Sequence, residues 1–149
     1  MFAMATTKKP APTAHRPSQA DYEALAEFRY LMRRFLEFSQ SAARAVGLAP
    51  AQHQALLAIK GNPDSASMTI GDLAARLCIR HHSTVELVDR LAAAGLVVRR
   101  TDPQDHRRVI LGLTRSAEKH LAELSAAHLD ELARLRPSLR RLLKLGRPS

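Results

Sequence analysis

A mainly α-helical chain carrying one small β-wing is the fold class this sequence predicts, and three observations predict it. Apolar residues recur every three and four positions over two long stretches near the ends of the chain. Between them, residues 69–95 hold two short helical patterns separated only by Cys78-Ile79-Arg80, about the length of the turn in a helix-turn-helix. Two valine- and isoleucine-rich runs then follow, joined by a polar, arginine-tipped loop. Helix, turn, helix and hairpin make a winged helix-turn-helix, a shape able to set one helix in the major groove of DNA and a loop beside it.

Taken in order, residues 1–18 are Pro, Ala, Thr and Lys with nothing to pack, and read as a disordered basic tail. Lys8, Lys9 and Arg16 can touch phosphates there, although a solvated tail is the simpler reading. From Gln19 to Val46 a long helix is expected. Leu25, Phe28, Met32, Phe35, Ser39, Ala42 and Val46 step by three and four, with Leu31, Leu36 and Phe38 widening the stripe. Such a helix is roughly 40 Å long, more than a compact monomer of this size covers, so part of its stripe is expected to face another subunit. Gly47 ends it. Pro50 suits the first turn of a second helix to Lys60, with Leu56, Leu57 and Ile59 inward, although Ala49 stands where Ser or Thr usually caps. Residues 61–65 form a loop, and Ser67-Met68 is placed to add a one-residue edge to the wing sheet.

Thr69 followed by Asp72 is a capping-box-like start, with the carboxylate favoured at the positive helix end. Ile70, Leu73, Ala74 and Leu77 give that helix its apolar face. The next helix should bury Val85, Leu87, Val88 and Leu91, turn His82, Ser83, Glu86 and Arg90 outward, and stop at Gly95. Leu96 to Arg100 and Val109 to Leu111 are the paired strands. Thr101 to Arg108 is the loop between them, shaped by Asp102, Pro103 and Asp105 and suited to reach a phosphate or a narrow minor groove. Thr114 should cap a helix to about Leu135, with Leu121, Leu124, Leu129 and Leu132 apolar. Pro137 should break it, leaving a short helix from Ser138 to Leu145 with Leu139, Leu142 and Leu143 inward and Arg140, Arg141 and Lys144 outward.

At 149 residues the chain is one domain's worth, and its apolar content of 46% is ordinary for a globular protein. No apolar run approaches the ~20 residues of a membrane span, and no secretory signal is legible at the N-terminus. A single cysteine forms no internal disulfide, in keeping with a reducing cytoplasm. The net charge of +9 belongs to the ends. Residues 1–20 hold three basic and no acidic residues, residues 134–149 hold six and none, and the middle has 14 of each sign. That charge favours a polyanion in general but recognises nothing. No Gly-rich phosphate loop, carboxylate pair or nucleophile elbow points to catalysis, so no catalytic residue and no cofactor is expected.

The run Asp72-Leu-Ala-Ala-Arg-Leu, then Val88-Asp89-Arg90-Leu91 before Gly95-Leu96-Val97, and the wing Asp102-x-x-Asp105-x-Arg107-Arg108 together resemble the MarR family of bacterial transcription regulators. The likeness covers roughly residues 20 to 145. It implies a winged helix-turn-helix DNA-binding domain at 49–113, and a dimerisation platform built from the helices of 19–48 and 114–146 of two chains. It also implies repression relieved by a small, often aromatic or anionic effector, and Arg107 in a minor groove with Asp105 shaping the wing. Two departures stand out: Glu86, where many relatives are basic or small, and Gln104, where the family often has Arg.

Expected partners are therefore double-stranded DNA, a second copy of the chain and a small-molecule effector, with no membrane. Candidate DNA contacts are Arg80, His81, His82, Ser83, Thr84, Glu86, Arg90, Arg107 and Arg108. Arg80 and Arg90 suit phosphates, while His82, Ser83 and Thr84 suit base edges at the helix start without fixing a sequence. Glu86 either accepts from a cytosine amino group or pairs with Arg90 one turn on, the pairing being preferred. Arg107 and Arg108 either reach DNA or neutralise Asp102 and Asp105, and both roles are compatible. The histidines, His81 and His82 included, lack the spacing of a zinc site. Cys78 is expected to be a small buried residue rather than a redox sensor. Phe38, Arg44 and His53 are the candidate effector residues. The rival readings are a winged helix used for architecture or protein contact without an effector, and, with little behind it, an enzyme.

Overall fold

The computed structural model describes residues 16–64 and 67–145. The expected basic tail therefore lies outside the described residues up to position 15, as do Ser65 and Gly146. Seven elements follow one another: α1 (Gln19–Ala45), α2 (Pro50–Lys60), α3 (Ile70–Leu77), α4 (His81–Ala93), β1 (Val97–Thr101), β2 (Val109–Leu113) and α5 (Arg115–Leu145).

The helix ends follow from local chemistry. Ser18 caps α1 by a reciprocal box: its hydroxyl accepts from the Asp21 amide (3.2 Å) while the Asp21 carboxylate accepts from the Ser18 amide (2.8 Å). Gly47, at φ +79°, turns the chain out of α1, and Leu48 N–H donates back to Ala43 (3.0 Å). Ala49 has no side-chain oxygen, so α2 has only half a box, Gln52 accepting from the Ala49 amide (2.9 Å). Thr69 and Asp72 form the full box at α3 (3.2 and 3.0 Å). Thr114 caps α5, its hydroxyl accepting from the Ala117 amide (3.2 Å) and donating to the Gly95 carbonyl (2.7 Å).

The core lies where α2, α3, α4, β2 and the first half of α5 meet. Leu56, Leu73, Val88, Leu91 and Leu111 are fully enclosed there, with Met68, Leu121 and Leu124 around them. The β1–β2 hairpin is antiparallel, Val97 facing Leu113 and Thr101 facing Val109, so both strands start or end beyond their expected limits. Met68 contributes one hydrogen bond to it (Leu111 N–H to Met68 carbonyl, 2.8 Å) without becoming a strand.

Three expectations fail. Leu57 is not in the core face of α2. It is 43% exposed, and Ala55 and His53 share the buried side with Leu56 and Ile59. Nor does Leu143, expected inward, turn to the core; it is 76% exposed, whereas the α1 stripe is divided, with Leu31, Ser39 and Ala43 inward and Tyr22, Leu25, Phe28, Met32 and Leu36 exposed. Finally, Pro137 does not end α5, which runs through it to Leu145. A proline inside a helix deprives the carbonyl four residues back of its donor and costs about 3 kcal/mol. Here Ala133 and Pro137 both lie on the exposed side, so water is available to that carbonyl. Replacing Pro137 by Ala should restore the bond and slow amide exchange severalfold over residues 138–145; exchange unchanged from wild type would contradict this.

Candidate nucleic-acid interface

α4 owes its setting to the turn before it. Cys78 closes α3 in the left-handed region (φ +56°), with its N–H on Ala75 (3.3 Å) and that of Ile79 on Ala74 (3.1 Å). This conformation turns the Cys78 side chain outward, so the thiol is exposed and not buried as expected. Arg80, extended at φ −69° and ψ 151°, is the N-cap of α4.

Along α4 the buried side is Thr84, Leu87, Val88 and Leu91, with Val85 half-buried. Thr84 is thereby removed from the candidate DNA contacts. It has no exposed surface, and its hydroxyl donates to the Arg80 carbonyl one turn back (3.0 Å). The helical phase that encloses Leu87, Val88 and Leu91 encloses it as well, and its polar atom is satisfied within the helix. The remaining candidates lie on the outer side: Arg80, His81, His82, Glu86 and Arg90 are exposed and Ser83 half-buried.

The expected Glu86–Arg90 pair does not form. The ion pair on this helix joins Asp89 to Arg99 of β1, tying α4 to the wing. Neither Arg99 nor Asp89 was foreseen as a partner, because the contact is set by the return of β1 beside α4 and carries no fixed spacing.

Both carboxylates of the wing loop are engaged by backbone. Asp102 accepts from the Gln104 amide (2.9 Å) and Asp105 from the Arg107 amide (3.1 Å), as an Asx-type turn does. Arg108 faces Asp102 at 3.8 Å and donates to the Ser67 carbonyl (3.5 Å), so it braces the loop. The Arg107 guanidinium is exposed, and no hydrogen bond or ion pair holds it among the described residues. The two arginines that look equivalent in sequence are thus held differently.

The effector candidates do not form one site. Phe38 lines a groove of about 780 Å³ between α1 and α5 with Arg34, Glu37, Glu131 and Arg134. Arg44 is exposed and outside that lining. His53 is buried and outside that lining, its ring 4.9 Å from that of His128. The His128 ring also meets Phe38 edge-on at 5.3 Å. His128 donates from Nδ1 to the Leu124 carbonyl (2.6 Å), so in its neutral form Nε2 accepts from the Ser39 hydroxyl (2.8 Å). His53 Nδ1 is buried with no partner. No group of three or more potential metal ligands occurs among the described residues, and none of their helices is long and apolar enough to cross a membrane.

Burial, and then the charge on His128, hold the His53 pKa below its ordinary 6.5. The folded state therefore binds fewer protons than the unfolded one just below pH 6.5, and stability falls as pH drops through that value. Thermal melts from pH 7.5 to 5.5 should show wild type losing more Tm than a His53→Leu variant. Parallel losses in the two proteins would contradict it.

Comparison with known proteins gives a consistent picture. A sequence model described as "MarR family" matches residues 46–108. The uncharacterized HTH-type transcriptional regulator YcgE of Bacillus subtilis (strain 168) is 34% identical over 112 residues, which span 75% of this chain and 71% of that protein. Among solved structures, a MarR family protein from Bacillus stearothermophilus superposes with a TM-score of 0.71 at 21% identity, covering 85% of this chain and 94% of the other. A mutant of S. aureus MepR bound to an oligodeoxyribonucleotide gives 0.62 at 23% identity, covering 78% and 82%.

Proposed function

The chain belongs to the MarR family of DNA-binding transcription regulators, not to a family of enzymes, and on that premise we propose that it is a homodimeric, cytoplasmic repressor of a pseudo-palindromic operator. In this reading residues 49–113 are the DNA-binding lobe, and residues 19–48 and 114–146 build the platform that joins two chains. Two copies of α4 would enter successive major grooves about 34–36 Å apart. Arg80 and Arg90 would hold phosphates, His81, His82 and Ser83 would face base edges, and Arg107 would enter the minor groove. Arg108 would act through the wing it braces.

The observation that carries this reading is the exposed Arg107 guanidinium on a loop whose two acidic residues are already engaged. A cation left without a protein partner on a held loop suits a narrow minor groove, where negative potential is enhanced. The dimer is supported by the exposed apolar residues of α1, among them Leu25, Phe28, Met32 and Leu36, and by Leu129, Leu132 and Leu143 of α5. Large apolar side chains left in water in such number favour a contact site. An effector would have the groove beside Phe38 available. Its two arginines and two glutamates balance in sign, so the phenyl ring favours an aromatic compound more than the groove's charge favours an anion.

Two measurements test this. In mobility shifts on DNA flanking the gene, Arg107→Ala should bind roughly tenfold more weakly, with a salt slope shallower by about one. Full binding by that variant would remove the wing from the account. Sedimentation should give a dimer, and a lone subunit at micromolar concentration would contradict the platform.

A further inference from the structure

α4 carries two carboxylates, and the structure treats them differently. Asp89 is matched by Arg99. Glu86, one turn beyond His82, is exposed, and no hydrogen bond or ion pair holds it among the described residues, Arg90 included. An ionised carboxylate only accepts hydrogen bonds. On a surface that approaches a polyanion it is repelled unless the nucleic acid brings it a donor.

Phosphates and deoxyribose within a duplex bring none. The donors that B-DNA shows in its major groove are the amino groups of cytosine and adenine. Adenine N6 stands beside the N7 acceptor of the same base, which opposes a second carboxylate oxygen; cytosine N4 has no acceptor of its own base beside it. We infer that Glu86 is a specificity-determining residue, accepting a hydrogen bond from cytosine N4, so that each half-site carries a C·G pair at the position it meets. The inference rests on α4 being the helix that enters the groove. Its neighbours do not duplicate the role: Ser83 can donate or accept at any base, and Thr84 is enclosed.

Selection from a random duplex pool tests it, using wild type, Glu86→Gln and Arg107→Ala. Wild type should enrich a two-fold motif with an invariant cytosine in each half. On that site Glu86→Gln should bind roughly 5- to 150-fold more weakly, the range for one good base contact, and its own selected motif should relax or turn to adenine, which Gln reads in two bonds. Arg107→Ala should keep the cytosine while weakening all sequences. The same motif in wild type and Glu86→Gln would overturn the inference. So would uniformly tighter binding by Glu86→Gln on every sequence, which is what a merely repulsive carboxylate predicts. A wild-type protein that captures no duplex at low salt would instead overturn the DNA reading of α4 itself.

Discussion

Enclosure of one side of α4 is the constraint on which the remaining structure depends. Leu87, Val88 and Leu91 pack with Leu56 of α2, Leu73 of α3 and Leu111 of β2 in a core where the largest side chains have no accessible surface. Interiors of that density leave little room for a helix to rotate about its axis. A helix has only one apolar stripe, so holding that stripe also holds the polar one opposite. His82, Glu86 and Arg90 are therefore presented by a held helix without needing contacts of their own. Thr84 marks how strict the phase is, for a polar side chain has been taken inside with its hydroxyl returned to the Arg80 carbonyl.

The wing is built on the same economy of partners. Thr114 bonds to Gly95 at the base of the hairpin, and Leu111 bonds to Met68 across its edge. At the tip, Asp102 and Asp105 accept from backbone amides, Arg108 is drawn to Asp102, and Arg99 is drawn back to Asp89. Exposed pairs of this kind contribute little stability, typically under about 1 kcal/mol each, but they decide which charges are left over. Arg107 on the wing, and Glu86 and Arg90 on α4, are left over, on the two elements proposed to meet DNA.

Much of this was legible in sequence because it is local. Thr69 with Asp72, Gly47, Gly95 and Thr114 name their helix ends through hydrogen bonds spanning a few residues, Pro50 does so through its fixed φ, and those ends lie within a residue of where they are expected. The errors arise where tertiary geometry decides. Apolar spacing alone does not say whether Leu57 or His53 faces the core, since both lie within reach of a wide stripe. Cys78 is turned out by one left-handed residue that the sequence does not mark with glycine. Pro137 is accommodated because its side of α5 is wet. Within the candidate site, four-residue spacing suggested a Glu86–Arg90 pair, while the pair that forms joins residues ten apart across a turn and into a strand.

His53 of α2 lies against His128 of α5, which in turn is hydrogen-bonded to Ser39 of α1. If, as proposed, α2 serves the DNA-binding lobe and α1 and α5 the dimer platform, this cluster is one of the joints that a change in the spacing of paired recognition helices would strain. The central claim, however, is the delivery of α4 and the wing to one duplex by two copies of the chain. Hydroxyl-radical and methylation footprinting on a selected duplex tests it most directly. The account predicts two protected major-groove segments centred about 34–36 Å apart, each with minor-groove protection beside it that disappears with Arg107→Ala. A single protected segment, or minor-groove protection indifferent to Arg107, would contradict it.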